Sequence, residues 1–418
     1  MRTKILWLAV FLAFALVATA CGSTEDTTTT TAAAATTTTA AAQTTTTPAP
    51  APPEPIIIGA AIDQTQDMAP FNNPANTAAE IMIDRINEAG GVLDGRMLQL
   101  ITADTTLDPA QTQAVALDLI EQGAEVLLVT CDVDAATPAI QEALNAGILA
   151  IAPCIGTDQM GPNRFGDAGH IAFSFGNMAQ DEGAVLAEFA IEQGWTNGVI
   201  VKDNFFVYFQ DVVDAFGVRF AEDGGTIVAE EEFAQFDGTI GNVVTAVANV
   251  PDKDVIVMSS FAGDLPAFVA GLRALGDDTP IVCSWACDGT FWVPPGTSNF
   301  WYNTFVSIFG DDPDPAVNAF VEEMTARTGE APSTGGFIGG AQAIQALAEA
   351  FEATGGTDAA AIADFFEDFE DRELIFGDVS FSEANHTVFG RLHRILLFTD
   401  SVPALVEVRV ATSPADIS

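Results

Sequence analysis

Short aliphatic runs alternate with segments of helical periodicity in this chain, and that alternation limits the folds it can adopt. The aliphatic runs predict strands at residues 56–62, 97–103, 126–130 and 148–152. Apolar side chains at helical spacing predict helices at residues 79–86, 109–122 and 135–146. Because crossover helices join parallel strands, the pattern predicts an α/β fold with helices on both faces of a mostly parallel sheet.

A second series of the same kind follows and predicts a second sheet. Its strands are expected at residues 199–201, 226–228, 255–258 and 280–283. Its helices are expected at residues 180–193, 212–220 and 265–275. Three later helices are expected at residues 315–327, 337–353 and 359–369, after a connecting stretch at 302–307 and before short strands from residue 377. Two series of this size predict two lobes.

The N-terminus has the pattern of a secretory signal peptide. Arg2 and Lys4 precede an apolar run at residues 5–17, and small residues at 18–20 precede Cys21. This arrangement is similar to a bacterial lipobox, with Ala18 where Leu is usual, and predicts lipidation of Cys21. A secreted protein with an incidental Cys21 is the alternative. Residues 21–55 are rich in Thr, Ala and Pro and predict a disordered stalk.

Charge and length limit the partners of the remaining chain. The 58 Asp and Glu residues outnumber the 14 Lys and Arg residues and give a formal net charge of −44. Such a chain repels nucleic acid and anionic lipid surfaces, so neither is an expected partner. The roughly 360 residues after the stalk are enough for one large or two medium domains.

Four further cysteines, Cys131, Cys154, Cys283 and Cys287, form an even set in a compartment where disulfides persist. We favour the pairs Cys131 with Cys154 and Cys283 with Cys287. The first two end successive predicted strands, and the other two lie in one loop. A four-cysteine metal site is the alternative, although neither spacing is typical of zinc.

Several short motifs resemble the type I periplasmic binding proteins of the leucine/isoleucine/valine and amide/urea branch, which serve ABC importers. The matching segments are Ile58-Gly59, residues 86–91 (INEAGG), Gly95-Arg96, Asp104, residues 108–110 (DPA), residues 146–148 (AGI) and residues 152–153 (AP). The resemblance covers most of the chain from Ile56 onward. It implies a two-lobed type I fold, with lobe 1 at 56–175 and 304–375 and lobe 2 at 176–303 and 376–418.

The same resemblance places a ligand in the cleft between the lobes, at the carboxyl ends of the strands. Matched position by position, it implies these ligand-binding residues: Thr65, Phe71, Asp132, Val133, Cys154, Thr157, Tyr208, Ser260, Phe261 and Asp288. Tyr208 matches a tyrosine that covers the ligand. Asp288 matches an acidic residue that receives an ammonium group.

The chain departs from the family where amino-acid binders usually place a serine pair, because Asp132 and Val133 stand there. A carboxylate beside a ligand carboxylate would be repulsive in a partly desolvated cleft. The departure favours an amide, a urea-like molecule, a polyol or a cation over an α-amino acid. Alternatively, Asp132 points to solvent or caps the helix that begins near Ala135, and only backbone amides face the ligand.

No catalytic constellation is apparent, so we expect a binding protein without cofactor or metal, and not an enzyme. The histidines His170, His386 and His393 have no metal-type spacing, and the glycines at 335–340 lack the lysine of a phosphate loop. The expected function is delivery of a small polar ligand, an amino acid, an amide or a urea-like molecule, to an ABC permease by a lipid-anchored monomer at the cell surface or in the periplasm. A ligand-sensing lipoprotein of the same fold, which signals through a partner receptor, is the alternative.

Overall fold

The computed structural model describes residues 53–417. The predicted signal peptide, Cys21 and nearly all of the predicted stalk lie outside the described residues. Within residues 53–417, no helix combines the length and the apolar character needed to cross a membrane.

The described residues form strands and helices in an alternating order. The strands are β1 (Ile56–Ile62), β2 (Leu98–Asp104), β3 (Val126–Val129), β4 (Leu149–Ala152), β5 (Ala172–Asn177), β6 (Asn197–Asp203), β7 (Thr226–Phe233), β8 (Val255–Ser259), β9 (Ile281–Cys283), β10 (Phe300–Thr304), β11 (Arg372–Leu374), β12 (Gly377–Val379), β13 (Thr387–Val388), β14 (His393–Thr399) and β15 (Val402–Arg409). The helices are α1 (Ala69–Glu88), α2 (Pro109–Glu121), α3 (Val133–Ala146), α4 (Pro162–Phe165), α5 (Ala179–Glu192), α6 (Val207–Glu222), α7 (Ile240–Ala248), α8 (Leu265–Ala274), α9 (Pro315–Thr328), α10 (Phe337–Thr354) and α11 (Ala359–Glu367).

Two sheets organise the molecule into two lobes, as the sequence predicted. The first has the order β13-β5-β4-β3-β1-β2 and is parallel throughout. The second has the order β15-β14-β10-β9-β8-β6-β7, in which β14 and β15 add an antiparallel edge to five parallel strands. The β11–β12 hairpin is separate.

The chain crosses between the two sheets three times. The crossings lie between β5 and α5, after β10, and between β13 and β14. The first two positions agree with the lobe boundaries expected near residues 175 and 304. The third lies later than expected at 376, because β13 is still paired with β5 of the first sheet.

Several elements differ from the sequence prediction: β5 and α4 were not predicted, α1 begins ten residues earlier than expected, and β10 and α7 differ as follows. Residues 302–307 were predicted as a connection, but Phe300–Thr304 is strand β10, with β9 on one side and β14 on the other. Its buried polar residues Asn303 and Thr304 interrupt the apolar pattern that identifies a strand. Helix α7 (Ile240–Ala248) was not predicted, although its buried valines Val243, Val244 and Val247 have helical spacing.

Side-chain caps and glycines define the ends of some of the helices. Asp108 accepts a hydrogen bond from the Gln111 amide in front of Pro109, and this begins α2. Gly147 ends α3 in the left-handed conformation, with φ of 70°. The glycines of the 335–340 segment have a packing role at the start of α10. A Cβ atom would lie 1.7 Å from the Pro153 carbonyl oxygen at Gly339, and 1.9 Å from that of Ala75 at Gly340.

Both disulfides have the pairing favoured from the sequence. Cys131 and Cys154, with Cα atoms 4.7 Å apart, join the loops after β3 and β4. Cys283 and Cys287, with Cα atoms 6.0 Å apart, close a short turn after β9. Each bridge stays within one sheet region, so neither ties the two lobes together.

Candidate functional site

A small cavity lies between the lobes, where strand ends of the two sheets meet. Its volume is about 20 Å³, which is about enough for one water molecule. Its lining residues are Met68, Phe71, Cys131, Asp132, Phe206, Tyr208, Phe209, Phe261, Trp285 and Ala286. Carboxyl ends of parallel strands are the usual position for ligand sites in open α/β sheets, so this cavity is the candidate site.

The lining residues lie in the segments that follow five strands, either in loops or in the first turn of the next helix. Those after β1 and β3 belong to the first lobe, and those after β6, β8 and β9 belong to the second. Both lobes therefore contribute to one apolar enclosure. A molecule held there would touch both lobes only when they are closed.

Six of the lining side chains are aromatic. The Phe71 and Trp285 rings meet edge to face across the lobes, with centroids 5.3 Å apart. Within the second lobe, Phe261 lies 6.0 Å from Phe206 and 5.7 Å from Phe209, measured between ring centroids. Such a lining favours an apolar ligand body, and ring faces also attract cations.

Within residues 53–417, Asp132 is the only charged residue that lines the cavity. Its Oδ1 atom accepts from the Ala135 amide at 2.9 Å, so the carboxylate caps α3. The alternative prediction expected this cap, but it also expected only backbone amides to face the ligand, whereas Asp132 itself lines the cavity. Burial raises the pKa of Asp132 to about 7, despite the helix amides that favour its anion. Because no lysine or arginine lines the cavity, nothing there would neutralise a ligand carboxylate.

Glu182 does not line the cavity, but it holds two lining residues, Tyr208 and Trp285, by hydrogen bonds. Its Oε2 atom accepts from the Tyr208 hydroxyl at 3.0 Å, the Trp285 amide at 3.0 Å and the Asn303 amide at 3.1 Å. Its Oε1 atom is buried without a hydrogen bond. Burial raises the pKa of Glu182 to about 7, so this acid is poised between its two charge states at neutral pH.

Direct hydrogen bonds join the lobes beside the cavity. Asp134, in the first turn of α3, accepts from the Val207 amide at the start of α6 at 3.0 Å. The Thr157 hydroxyl donates to Asp211 at 2.6 Å. These contacts describe a closed arrangement of the two lobes.

The three crossings share a buried polar network. Asn177 from the first crossing and Asn303 from the second both lie against Nδ1 of His393 from the third, at 3.4 Å and 3.0 Å. Arg391 donates to Asn177 at 3.2 Å and to Gln342 at 2.7 Å. Because Asn303 also reaches Glu182, this network links the crossings to the cavity wall.

Four of the ten residues predicted to contact ligand line the cavity: Phe71, Asp132, Tyr208 and Phe261. Thr65 lies outside it and donates to Asp104 at 2.7 Å. Val133 packs within the first lobe, and Cys154 is covered in its disulfide. Thr157 bridges the lobes to Asp211, and the Ser260 hydroxyl donates to Asp203 at 2.8 Å.

Asp288 does not line the cavity in this structure. Its carboxylate accepts from the Thr304 hydroxyl at 2.8 Å and from the amides of Gly289 and Gly335 at 2.7 Å and 2.5 Å. It therefore fixes the second crossing to the loop before α10, and its oxygens are already occupied by these donors. Burial raises its pKa to about 6.

The ten predicted ligand contacts did not include the lining residues Met68, Cys131, Phe206, Phe209, Trp285 and Ala286. Phe206 and Phe209 follow β6 in the sequence, where aromatic side chains are also typical of a lobe core. Trp285 lies between Cys283 and Cys287, in the turn after β9. Its position after a strand end was the signal that could have identified it.

A larger groove runs outside the cavity along α1. It measures about 430 Å³ and includes Pro70, Asn73, Phe291 and Ser333. The Phe291 ring lies 6.1 Å from the Phe71 ring, which lines the inner cavity. These two rings stand between the groove and the cavity.

Comparison with known proteins agrees with this geometry. A family model described as a periplasmic binding protein matches residues 55–393. A Leu/Ile/Val-binding protein homolog 3 from Brucella melitensis is 20% identical over 329 residues, covering 78% of this chain and 87% of the relative. An amino acid binding protein from Pseudomonas aeruginosa is 24% identical over 318 residues, covering 75% and 82%. These relatives are named as binding proteins and not as enzymes.

Solved structures share the two-lobed fold. The substrate-binding protein LivJ of a branched-chain amino acid transporter from Streptococcus pneumoniae, in complex with isoleucine, superposes with a TM-score of 0.73 at 21% identity, over 85% of this chain and 99% of that one. A solute-binding protein from Rhodopseudomonas palustris, in complex with 3,4-dihydroxybenzoic acid, has a TM-score of 0.71 at 16% identity, over 86% and 98%.

Proposed function

Because this chain belongs to the periplasmic binding protein family, we propose that it captures a small solute between its lobes and delivers it to an ABC importer. The observation that carries this proposal is the cavity lined from both lobes. Ligand contacts to both lobes would shift the population toward the closed form, and the importer would recognise that form. The relatives that are named for amino-acid binding support this general role.

The lining suggests the ligand class. Six aromatic side chains favour an apolar body, and Asp132 favours a hydrogen-bond donor or an ammonium group. A free carboxylate would lie near Asp132 without a compensating cation. We therefore propose an apolar amine or amide in preference to a free amino acid. The cavity is too small for a molecule of that size, so the lobes or the rings must move to admit it.

A matched ligand series tests this proposal. Leucine, leucinamide and 3-methylbutylamine share an apolar body and differ in the group beside the amine. We expect binding in calorimetric titration to strengthen from leucine to the amide and to the amine. If leucine binds most tightly, the role assigned to Asp132 is wrong. If none of the three binds and a broad thermal-shift screen of solutes is also negative, the proposed function itself fails.

We also propose that lipidation of Cys21 anchors the protein outside the cytoplasm. The pattern at residues 2–21 supports this proposal. Replacing Cys21 by Ser should release the protein from the membrane fraction without changing ligand affinity, because the anchor and the cavity are separate parts of the chain. A Cys21→Ser protein that stays with the membranes would contradict the lipid anchor.

A further inference from the structure

Two of the three histidines meet on one carboxylate, at a distance from the ligand cavity. His170 Nδ1 lies 3.2 Å from Glu367 Oε1, and His386 Nε2 lies 3.0 Å from the same oxygen. Asp364 lies 3.3 Å from the other nitrogen of His170. This cluster was not predicted from the sequence, because its residues come from three separate segments.

The hydrogen bonds of His386 determine which of its nitrogens carries the proton. Its Nδ1 atom lies 2.9 Å from the Ala172 carbonyl oxygen, which can only accept, so Nδ1 carries a hydrogen. In the neutral ring, Nε2 then presents a lone pair to Glu367. Two acceptors 3.0 Å apart repel each other unless a proton or a metal ion lies between them. Because His386 is fully buried, a charged ring is disfavoured there.

Both histidines have the outer-shell hydrogen bonds that are common for metal-binding histidines. Such a histidine commonly donates its second ring N–H to a backbone carbonyl or a carboxylate, which fixes its orientation. The Ala172 carbonyl has this position for His386, and Asp364 has it for His170. Tetrahedral ligands at zinc distances lie about 3.4 Å from each other. The separations of Glu367 Oε1 from His386 Nε2 (3.0 Å) and from His170 Nδ1 (3.2 Å) are close to that value. The ligand atoms that all lie within 4.8 Å of one another belong to His170, Asp364 and Glu367, so the partly exposed His170 ring would turn toward His386 for both rings to bind one ion.

We propose that His170, Glu367 and His386 form a site for a divalent transition-metal ion such as Zn²⁺, with Asp364 as a positioning residue for His170. Imidazole nitrogen and carboxylate oxygen are suitable ligands for this class of ion. The exposed side chain of Asp364 and the partly exposed His170 leave access from solvent for the ion and for a water ligand. The ion would tie the 3-10 helix at Gly166–Ile171 and α11 to the residue before β13, close to the third crossing.

The test is calorimetric titration of the purified, metal-stripped protein with Zn²⁺, using variants matched in charge. The wild type should bind one ion per chain, and His170→Asn should abolish that binding. Asp364→Asn should weaken it roughly 10- to 100-fold, the effect expected for an outer-shell partner. Asp368→Asn removes the same charge from an exposed neighbour outside the cluster and should change nothing.

Co²⁺ provides an independent readout of the site. A site with these ligands should give the intense visible absorption of tetrahedral cobalt, and His170→Asn should remove it. Weak binding of several ions that responds equally to Asp364→Asn and Asp368→Asn would show a general effect of the acidic surface and would overturn the proposal. Tight binding that survives His170→Asn would overturn it as well.

Discussion

At the scale of single residues, Asp132 has two environments that affect its protonation state in opposite ways. The helix amides of α3 stabilise its anion, while burial in the cavity wall favours its neutral form. With a pKa of about 7, the side chain is partly protonated at neutral pH. A cationic ligand would bind the anion and therefore lower this pKa on binding.

Replacing Asp132 by Asn tests this role. Because Asn also caps helices well, stability should change little, whereas affinity for an amine should fall roughly 10- to 100-fold, as expected for the loss of a charged hydrogen bond. In the wild type, affinity for the amine should rise with pH through about 7, and the variant should lose this rise. Asp108→Asn at the cap of α2 is the matched control. Calorimetric titration from pH 5.5 to 8 measures both effects.

Glu182 gives a second prediction at this scale. In Glu182→Gln, the amide oxygen can still accept from Tyr208, Trp285 and Asn303 while the titrating group is removed. The variant should therefore keep the fold and should lose part of the pH dependence of stability between pH 5 and 8. Chemical denaturation across this range measures the change. An unchanged pH profile would show that Glu182 does not titrate there.

Neighbouring residues show why the site was only partly predictable. Ser260 and Phe261 follow the same strand, yet only Phe261 lines the cavity, while the Ser260 hydroxyl donates to Asp203. The resemblance locates loops well, but it does not fix the direction of each side chain within a loop. Asp288 is the clearest example of a correctly located loop with a wrongly predicted side-chain direction, since its carboxylate accepts hydrogen bonds from Gly289, Thr304 and Gly335.

At the scale of elements, α6 of the second lobe is capped by the first lobe. The residue before α6, Phe206, has no side-chain cap, and Asp134 accepts from Val207 across the cleft. A carboxylate at a helix N-terminus is favourable because of the free amides and the helix dipole. This contact exists only while the lobes are closed.

Asp134→Ala should therefore weaken closure more than folding. The loss of a cap costs about 0.5–2 kcal/mol, and here that loss should appear as weaker ligand binding and a more open average shape. Asp108→Ala removes a cap within the first lobe and should lower stability while affinity stays unchanged. Titration calorimetry and small-angle scattering on both variants separate these effects. Equal affinity losses in both variants would contradict a role in closure.

Elements with a clear apolar period could be predicted from the sequence, and elements shaped by the crossings could not. Strand β10 was predicted as a connection because Asn303 and Thr304 are polar. They form buried hydrogen bonds with Glu182 and Asp288 and do not pack in an apolar core. The membership of β13 in the first sheet depends on pairing with β5, which is distant in sequence. Local patterns contain no information about such long-range pairing.

At the scale of the whole molecule, a net charge of −44 is combined with several buried acids. Burial raises the pKa of Asp132 and Glu182 to about 7, and that of Asp181, Asp211 and Asp288 to about 6. In the opposite sense, burial lowers the pKa of His386 and lowers that of His393 to about 3. The five acids with raised pKa outnumber the two histidines with lowered pKa, so the acids determine the sign of the pH dependence of the free energy of unfolding.

The free energy of unfolding should fall as pH rises from about 5 to 7.5. Over most of this range the unfolded acids have released their protons while the folded acids still hold theirs, so the folded state binds more protons and loses stability as they leave. The two histidines oppose this trend below about pH 6.5, where they are protonated only in the unfolded chain, but fewer groups are involved. Mutual repulsion of the excess acids adds to the fall in the free energy of unfolding, and salt screens this repulsion.

Urea denaturation at pH 5.5 and 7.5, in low and high salt, should show higher stability at pH 5.5 and a smaller difference in high salt. Higher stability at pH 7.5 in low salt would mean that the buried acids are already ionised in the folded protein.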